Sequence, residues 1–347
     1  MEGLEEKLKG LSLARRSLPE EPTYLLDVAL QPASLLAVSC SNFTIHLHNK
    51  DTLSLVGQYQ GHSGPLCGVV FSHTSPDSLY SGSADGTVRG WDVRRPGSEA
   101  VQVFKSGPSH NYCSFDLNSS DTLLCAGTEQ VNDEDSFLVF WDVRKPGGKL
   151  LGVYSESHSD DITQVCFHPR EKDRLASGST DGLVNVFDLS RGGEDEALLA
   201  TCNSDSSAGS VCWSGAEFTQ LLCLSHDEGL HLWDLGQLDT DEPLTIFSTS
   251  DARGLPLLED GGGRGLPGLR LLRTLEGGHS STVRCFLWDA VGEALFTGGE
   301  DAQLLLWKPG GEELTLGKRK SKKSESALRL KSRPHKKHGY QREKKGA

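Results

Sequence analysis

Short apolar runs recur along this chain, separated by glycine-rich or Asp-Gly turns. One unit passes from Gly61-His62 through Cys67–Phe71 to Leu79–Asp92, with Asp85-Gly86 between its last two runs. Another passes from His158 through Ile162–Phe167 to Leu175–Asp188, and a third from Gly278-His279 through Val283–Trp288 to Leu295–Trp307. Asp-Gly between two such runs predicts a tight hairpin, because the turn needs positive φ. The pattern predicts short antiparallel strands. The 39 glycines and single methionine agree with that reading.

The units repeat at a fixed period. Trp91-Asp92, Trp141-Asp142, Phe187-Asp188 and Trp233-Asp234 follow one another at steps of 50, 46 and 46 residues. His62, His110 and His158 follow at steps of 48. Two series locked to one period mark internal repeats. From Thr23 to Trp307 the chain resembles the WD40 family, whose signature is a Gly-His pair and a Trp-Asp pair in each repeat. The resemblance implies one four-stranded blade per unit and closure of the blades into a ring. It also implies a hydrogen-bonded tetrad of His, Ser or Thr, Asp and Trp in each well-formed blade. The matching residues are His62, Ser81, Asp85 and Trp91, then His279, Thr297, Asp301 and Trp307. A third set, His158, Ser177 and Asp181, has Phe187 in place of Trp and lacks the indole donor.

Three units are weaker. Asn42–Asn49 mimics the end of a repeat, with Tyr24–Ala29 as its inner strand. The His110 unit carries an insertion, Glu129–Ser136. The unit ending at Trp233-Asp234 keeps Asp227 but has Cys202-Asn203 near the Gly-His position. Trp233 to Trp307 spans 74 residues, where two units would need about 92. The segment Pro243–Arg273 holds no Gly-His, no Trp-Asp and no clear hairpin, and Leu258–Gly265 reads as a loop. The expected fold is all-β, a WD40 β-propeller of seven blades with a truncated sixth. The rival is a chain that has lost strands there and carries unpaired edges. Residues 1–20 form an N-terminal segment, with Leu11–Leu18 available as the outer strand of the last blade. Residues 21–310 form the propeller, and 311–347 a basic, disordered tail with too few apolar residues to fold.

Charge divides the chain at the same place. The net charge is −13, yet residues 318–347 hold 13 Lys+Arg and 2 Asp+Glu, leaving −24 on the remainder. A body so acidic is a poor nucleic-acid binder. The nine cysteines are odd in number, form no C-x-x-C and sit mostly in strand-like runs, so they read as buried apolar residues in a reducing compartment. Met1–Gly10 lacks the apolar core of a signal peptide, and no apolar run approaches the ~20 residues of a membrane helix.

Histidines beside serines and aspartates invite a hydrolase reading, but a Ser–His–Asp triad occurs once per active site. Here the set recurs at the repeat period, as a structural network does. No G-x-S-x-G elbow and no phosphate-binding G-x-x-x-x-G-K-[ST] is present. His46/His48 and His335/His338 are isolated pairs without further ligands nearby, so no metal and no cofactor is expected. The acidic insertion Glu129–Ser136 reads either as a solvated loop or as a docking site for a basic partner.

Two sequence features point to partners. Trp91-Asp92-Val93-Arg94 and Trp141-Asp142-Val143-Arg144 resemble the extension found in substrate receptors of the cullin-4 ubiquitin ligase. That resemblance implies that Arg94 and Arg144 face the ligase adaptor, damaged-DNA-binding protein 1; the plain alternative is an exposed arginine in a turn. Lys318, Arg319, Lys320, Lys322 and Lys323 begin the basic tail and read as a nuclear-localisation run, with RNA or acidic-protein contact as a second use. The expected function is a non-catalytic scaffold for protein–protein interactions in the nucleus or nucleolus, with no membrane association. The alternative is the ubiquitin-ligase substrate receptor.

Overall fold

The computed structural model describes residues 2–17, 22–31, 33–97, 99–107, 110–132, 135–145, 147–236, 243–252 and 272–310. A short helix, α1 (Glu2–Lys9), leads into strand β1 (Leu11–Ser17). Blade I follows with β2 (Leu25–Gln31), β3 (Leu35–Cys40), β4 (Ile45–Asn49) and β5 (Leu55–Tyr59). Blade II comprises β6 (Leu66–Phe71), β7 (Ser78–Ser83), β8 (Thr87–Asp92) and β9 (Gln102–Phe104). Blade III comprises β10 (Tyr112–Leu117), β11 (Leu123–Thr128), β12 (Ser136–Asp142) and β13 (Lys149–His158). Blade IV comprises β14 (Gln164–Phe167), β15 (Arg174–Gly178), β16 (Leu183–Asp188) and β17 (Leu198–Asn203). Blade V comprises β18 (Ala208–Ser214), β19 (Gln220–Ser225), β20 (Leu230–Asp234) and β21 (Leu244–Thr249). Blade VI has β22 (Val283–Asp289), β23 (Ala294–Gly299) and β24 (Leu304–Pro309), and takes β1 as its fourth strand.

The propeller has six blades, which corrects the expected seven with a truncated sixth. Leu244–Thr249 does not open a new blade: it pairs with β20 and completes blade V. The stretch 250–282 that remains before β22 is shorter than one repeat. The Asp-Gly turns behave as the hairpin rule requires, with Gly86 at φ 74° and Gly182 at φ 87°. Blade VI places Ala302 at the same point with φ 61°, a conformation costing a non-glycine residue roughly 1–2 kcal/mol.

Alternate residues on each strand face the two neighbouring blades, so both faces are apolar. In blade II, Leu79 and Trp91 pack towards Leu47 and Tyr59 of blade I. Tyr80 and Val88 pack towards Phe115 and Trp141 of blade III. Clusters of this kind join VI to I, I to II, II to III, III to IV and IV to V. The sixth cluster stays within one blade: Leu305 and Trp307 are covered by Leu8, Leu11, Leu13 and Leu275.

The seam between blades V and VI therefore lacks a shared apolar core among the described residues. Its two walls show the same thing. Val69, Phe115, Val165, Val211 and Val28 occupy one register position on the inner strands, and all are buried. Phe286 holds that position in blade VI and is 76% exposed. On the facing wall, Gly82, Gly127, Gly178 and Gly298 accept side chains of the next blade; a Cβ at Gly82 would stand 2.5 Å from the Phe115 ring. Blade V has Leu224 at that register, 46% exposed.

One buried carboxylate links two inner strands. Asp116 on β10 accepts the Leu117 N–H and, across the seam, the Phe167 N–H of blade IV, each at 2.8 Å. Burial raises its pKa to about 6, against the lowering effect of both hydrogen bonds. A folded pKa above the unfolded value means stability that is full below about pH 4 and lost as pH rises through about 6. Relative to Asp116→Asn, the parent should gain stability between about pH 7 and pH 5 in urea melts. A flat difference over that range would refute the assignment.

Candidate interaction faces: tetrads and turn arginines

Three blades build the histidine network. In blade II, His62 Nδ1 pairs with Asp85 Oδ2 at 2.9 Å, and Nε2 with Ser81 Oγ at 2.8 Å. The Trp91 indole N–H donates to Ser81 Oγ at 2.9 Å. Blade VI repeats this with His279 Nδ1–Asp301 at 2.9 Å, Nε2–Thr297 Oγ1 at 2.8 Å and Trp307 Nε1–Thr297 at 3.0 Å. In blade IV, His158 meets Asp181 at 3.0 Å and Ser177 at 2.7 Å, while Phe187 supplies no donor. Each aspartate also accepts the backbone N–H after its histidine, from Ser63, Ser159 or Ser280. The bonds tie the loop before each inner strand to the turn between its second and third strands.

Burial alone would raise the Asp85 pKa. The hydrogen bonds from His62, Thr87 and Ser63 outweigh it and hold the carboxyl well below the usual range. Asp181 and Asp301 are lowered for the same reasons, burial opposing and the histidine bond prevailing. The Ser–His–Asp order is that of a hydrolytic triad, but Ser81 and Ser177 have no solvent exposure. A hydroxyl without solvent exposure gives a substrate no line of attack.

Blade III departs from the pattern. Its His110 pairs with Ser106 Oγ at 2.8 Å, Ala126 stands at the Ser81 register, and the Trp141 indole nitrogen has no partner among the described residues. In the insertion, Asp133 and Glu134 lie outside the described residues. Glu129 accepts from Asn111 at 2.8 Å, and Gln130 bonds to Asp161 and Ser159 of the following loop. His46 and His48 have ring centres 6.1 Å apart, with His46 on Thr44 and His48 on the Leu53 carbonyl. Among the described residues no group of three His, Cys, Asp or Glu side chains is arranged to hold a metal.

Arg94 and Arg144 follow the third strands of blades II and III, on turns at the opposite ends of the strands from the tetrad aspartates. Their geometry is the same. Arg94 Nε and Nη2 donate to the two Asp92 carboxylate oxygens at 3.0 Å each; Arg144 donates to Asp142 at 2.8 and 3.0 Å. Both side chains are 65% exposed, and Arg94 also reaches Asp77 at 3.2 Å. The fork fixes the plane of each guanidinium and leaves donors facing solvent. Lys318, Arg319, Lys320, Lys322 and Lys323 lie outside the described residues.

Sequence reasoning missed a cavity of about 450 Å³ at blade V, lined by Ser204, Asp205, Ser225, Asp227, His231 and Ser248 among others. The signal was present. Asp85 and Asp181 lie 23 residues after their histidines, and the same count back from Asp227 reaches Ser204.

A ring of four-stranded blades carrying buried His–Ser/Thr–Asp networks defines the WD40-repeat class, and three segments, 53–92, 148–188 and 269–308, match the model of the WD domain, G-beta repeat. The chain thus carries three matched WD40 repeats and resembles the WD40-repeat proteins. It is 27% identical over 318 residues to the WD repeat-containing protein 89 homolog of Dictyostelium discoideum, covering 84% of each chain. It is 32% identical over 204 residues to WD repeat-containing protein GTS1 of Arabidopsis thaliana, covering 57% of this chain and 50% of that one. DDB1- and CUL4-associated factor 13 of Danio rerio is 21% identical over 272 residues, 73% of this chain and 57% of its own length.

Proposed function

We propose that this propeller is a non-catalytic interaction scaffold that works in a nuclear or nucleolar complex. The observation that carries this reading is the sealed state of the repeated His–Ser/Thr–Asp sets, which makes the most reactive-looking side chains structural. The basic run from Lys318 supports nuclear delivery. Affinity purification of the full chain at low and high salt tests the scaffold: tail-driven charge contacts should be lost with salt, and ring contacts kept. Removing residues 318–347 should redistribute a tagged protein to the cytoplasm. Unchanged nuclear signal would remove the tail's assigned role.

A second reading is a substrate receptor of a cullin-4 ubiquitin ligase. It is favoured by the matched forks of Arg94 and Arg144 on adjacent blades, and by the likeness to a relative whose name records DDB1 and CUL4. The double substitution Arg94→Ala/Arg144→Ala should abolish co-purification with the adaptor while leaving the melting temperature within a few degrees. Undiminished recovery of the adaptor would sink this reading, as would its absence from the parent.

A further inference from the structure

Blade V keeps only Asp227 and Trp233 of its tetrad. Ser204 stands where the histidine would, and Cys223, paired with His231, stands at the register of Ser81 and Ser177. Asp227 keeps its place but among the described residues is held only by the Ser206 hydroxyl, at 2.6 Å. Trp233 is covered by the stacked ring of His231, with centroids 5.6 Å apart and planes at 10°. The missing imidazole leaves the cavity of about 450 Å³, large enough for a side chain and its flanking backbone.

We propose that this cavity binds an arginine side chain presented by a protein partner. Its chemistry is that of an acceptor set. The Asp205 carboxylate has no hydrogen bond among the described residues, and Asp227 receives a single one. His231 is 3% exposed; its Nδ1 is engaged by the Ser248 hydroxyl at 3.0 Å, and Nε2 has no protein partner among the described residues. Burial lowers the pKa of that histidine, favouring a neutral ring that can accept through one nitrogen. A guanidinium has five donors and no acceptor, and its plane suits two carboxylates and a ring nitrogen better than a compact ammonium does. The acidic body, at −24 outside the tail, steers cations towards it. Asp205 sits at φ 57°, in the loop that precedes β18, so its carboxylate is placed by backbone rather than by a partner side chain.

The inference rests on the scaffold reading only for the source of the arginine. The test uses the full chain and the peptide Ac-Gly-Arg-Gly-NH2, with citrulline and lysine versions as controls. The His231 ring resonance should shift and saturate in the low-millimolar range with the arginine peptide. It should stay put with citrulline and shift at least threefold more weakly with lysine. Asp205→Asn and Asp227→Asn should each weaken binding about tenfold. Ser204→His, which refills the slot, should abolish it; if that variant fails to fold, the two asparagine variants decide. Equal shifts with arginine and citrulline, no shift at all, or unchanged binding in both asparagine variants would overturn the proposal. None of these failures touches the scaffold, whose partners are recovered by affinity purification.

Discussion

Phe115→Ala is expected to cost about 3–5 kcal/mol of stability, and Phe286→Ala less than about 1 kcal/mol. The two residues hold one register position on their inner strands, yet their surroundings differ completely. Phe115 is 6% exposed, fills the space left by Gly82 and joins the apolar cluster shared by blades II and III. Its removal leaves a cavity between two sheets that cannot collapse without parting from each other. Phe286 faces the V/VI seam and, among the described residues, belongs to no such cluster. Urea midpoints at unchanged m-value measure the contrast directly. Equal losses at both sites would show that the seam closes in solution.

The second large effect lies in the tetrads. Asp85→Ala should cost about 3–5 kcal/mol, because it breaks a buried pair and strands the bonded His62, Ser63 N–H and Thr87 hydroxyl. Asp227→Ala, at the matching turn of blade V, removes one hydroxyl contact and should cost about 1 kcal/mol or less. The pH dependence follows from the lowered carboxyls. Their contribution is fully present above the ordinary aspartate range near pH 4, and is lost as pH falls through the lower folded values. Thermal melts between pH 5 and 2 should therefore fall less steeply in Asp85→Ala than in the parent. Parallel curves would contradict the tetrad's role in acid stability.

The parts of this fold that are legible in sequence are those written as paired residues at a fixed interval. His62 with Asp85, His158 with Asp181 and His279 with Asp301 each mark a blade by spacing alone. The blade number is not legible, for a physical reason. Outer strands such as β9, β17 and β21 carry no tetrad member and face mostly solvent, so little constrains their residues. Leu244–Thr249 therefore reads as part of the stretch that follows it, although it completes the unit before. The V/VI seam, which has no shared apolar core among the described residues, does leave a trace: the small residue after the second-strand Ser, Thr or Ala is glycine at 82, 127, 178 and 298, but Leu224 follows Cys223. The blade V cavity is hidden because it is made by the loss of a motif residue. A scan for what is present passes over Ser204.

Pairing of β1 with β24 bears on the order of assembly. Leu11 meets Pro309, so a strand made early is among the last to find its neighbour. Until the C-terminal third has left the ribosome, Leu11–Ser17 is an unsatisfied edge with a leucine-bearing face, the kind of segment that pairs with a wrong chain. Closing a loop of nearly three hundred residues also sets a high contact order, and with it slow completion. Two arginines, Arg15 and Arg16, put charge on that strand, the kind of placement that disfavours edge-to-edge pairing. Loss of the strand around Pro309 would leave the segment made hundreds of residues earlier without its neighbour.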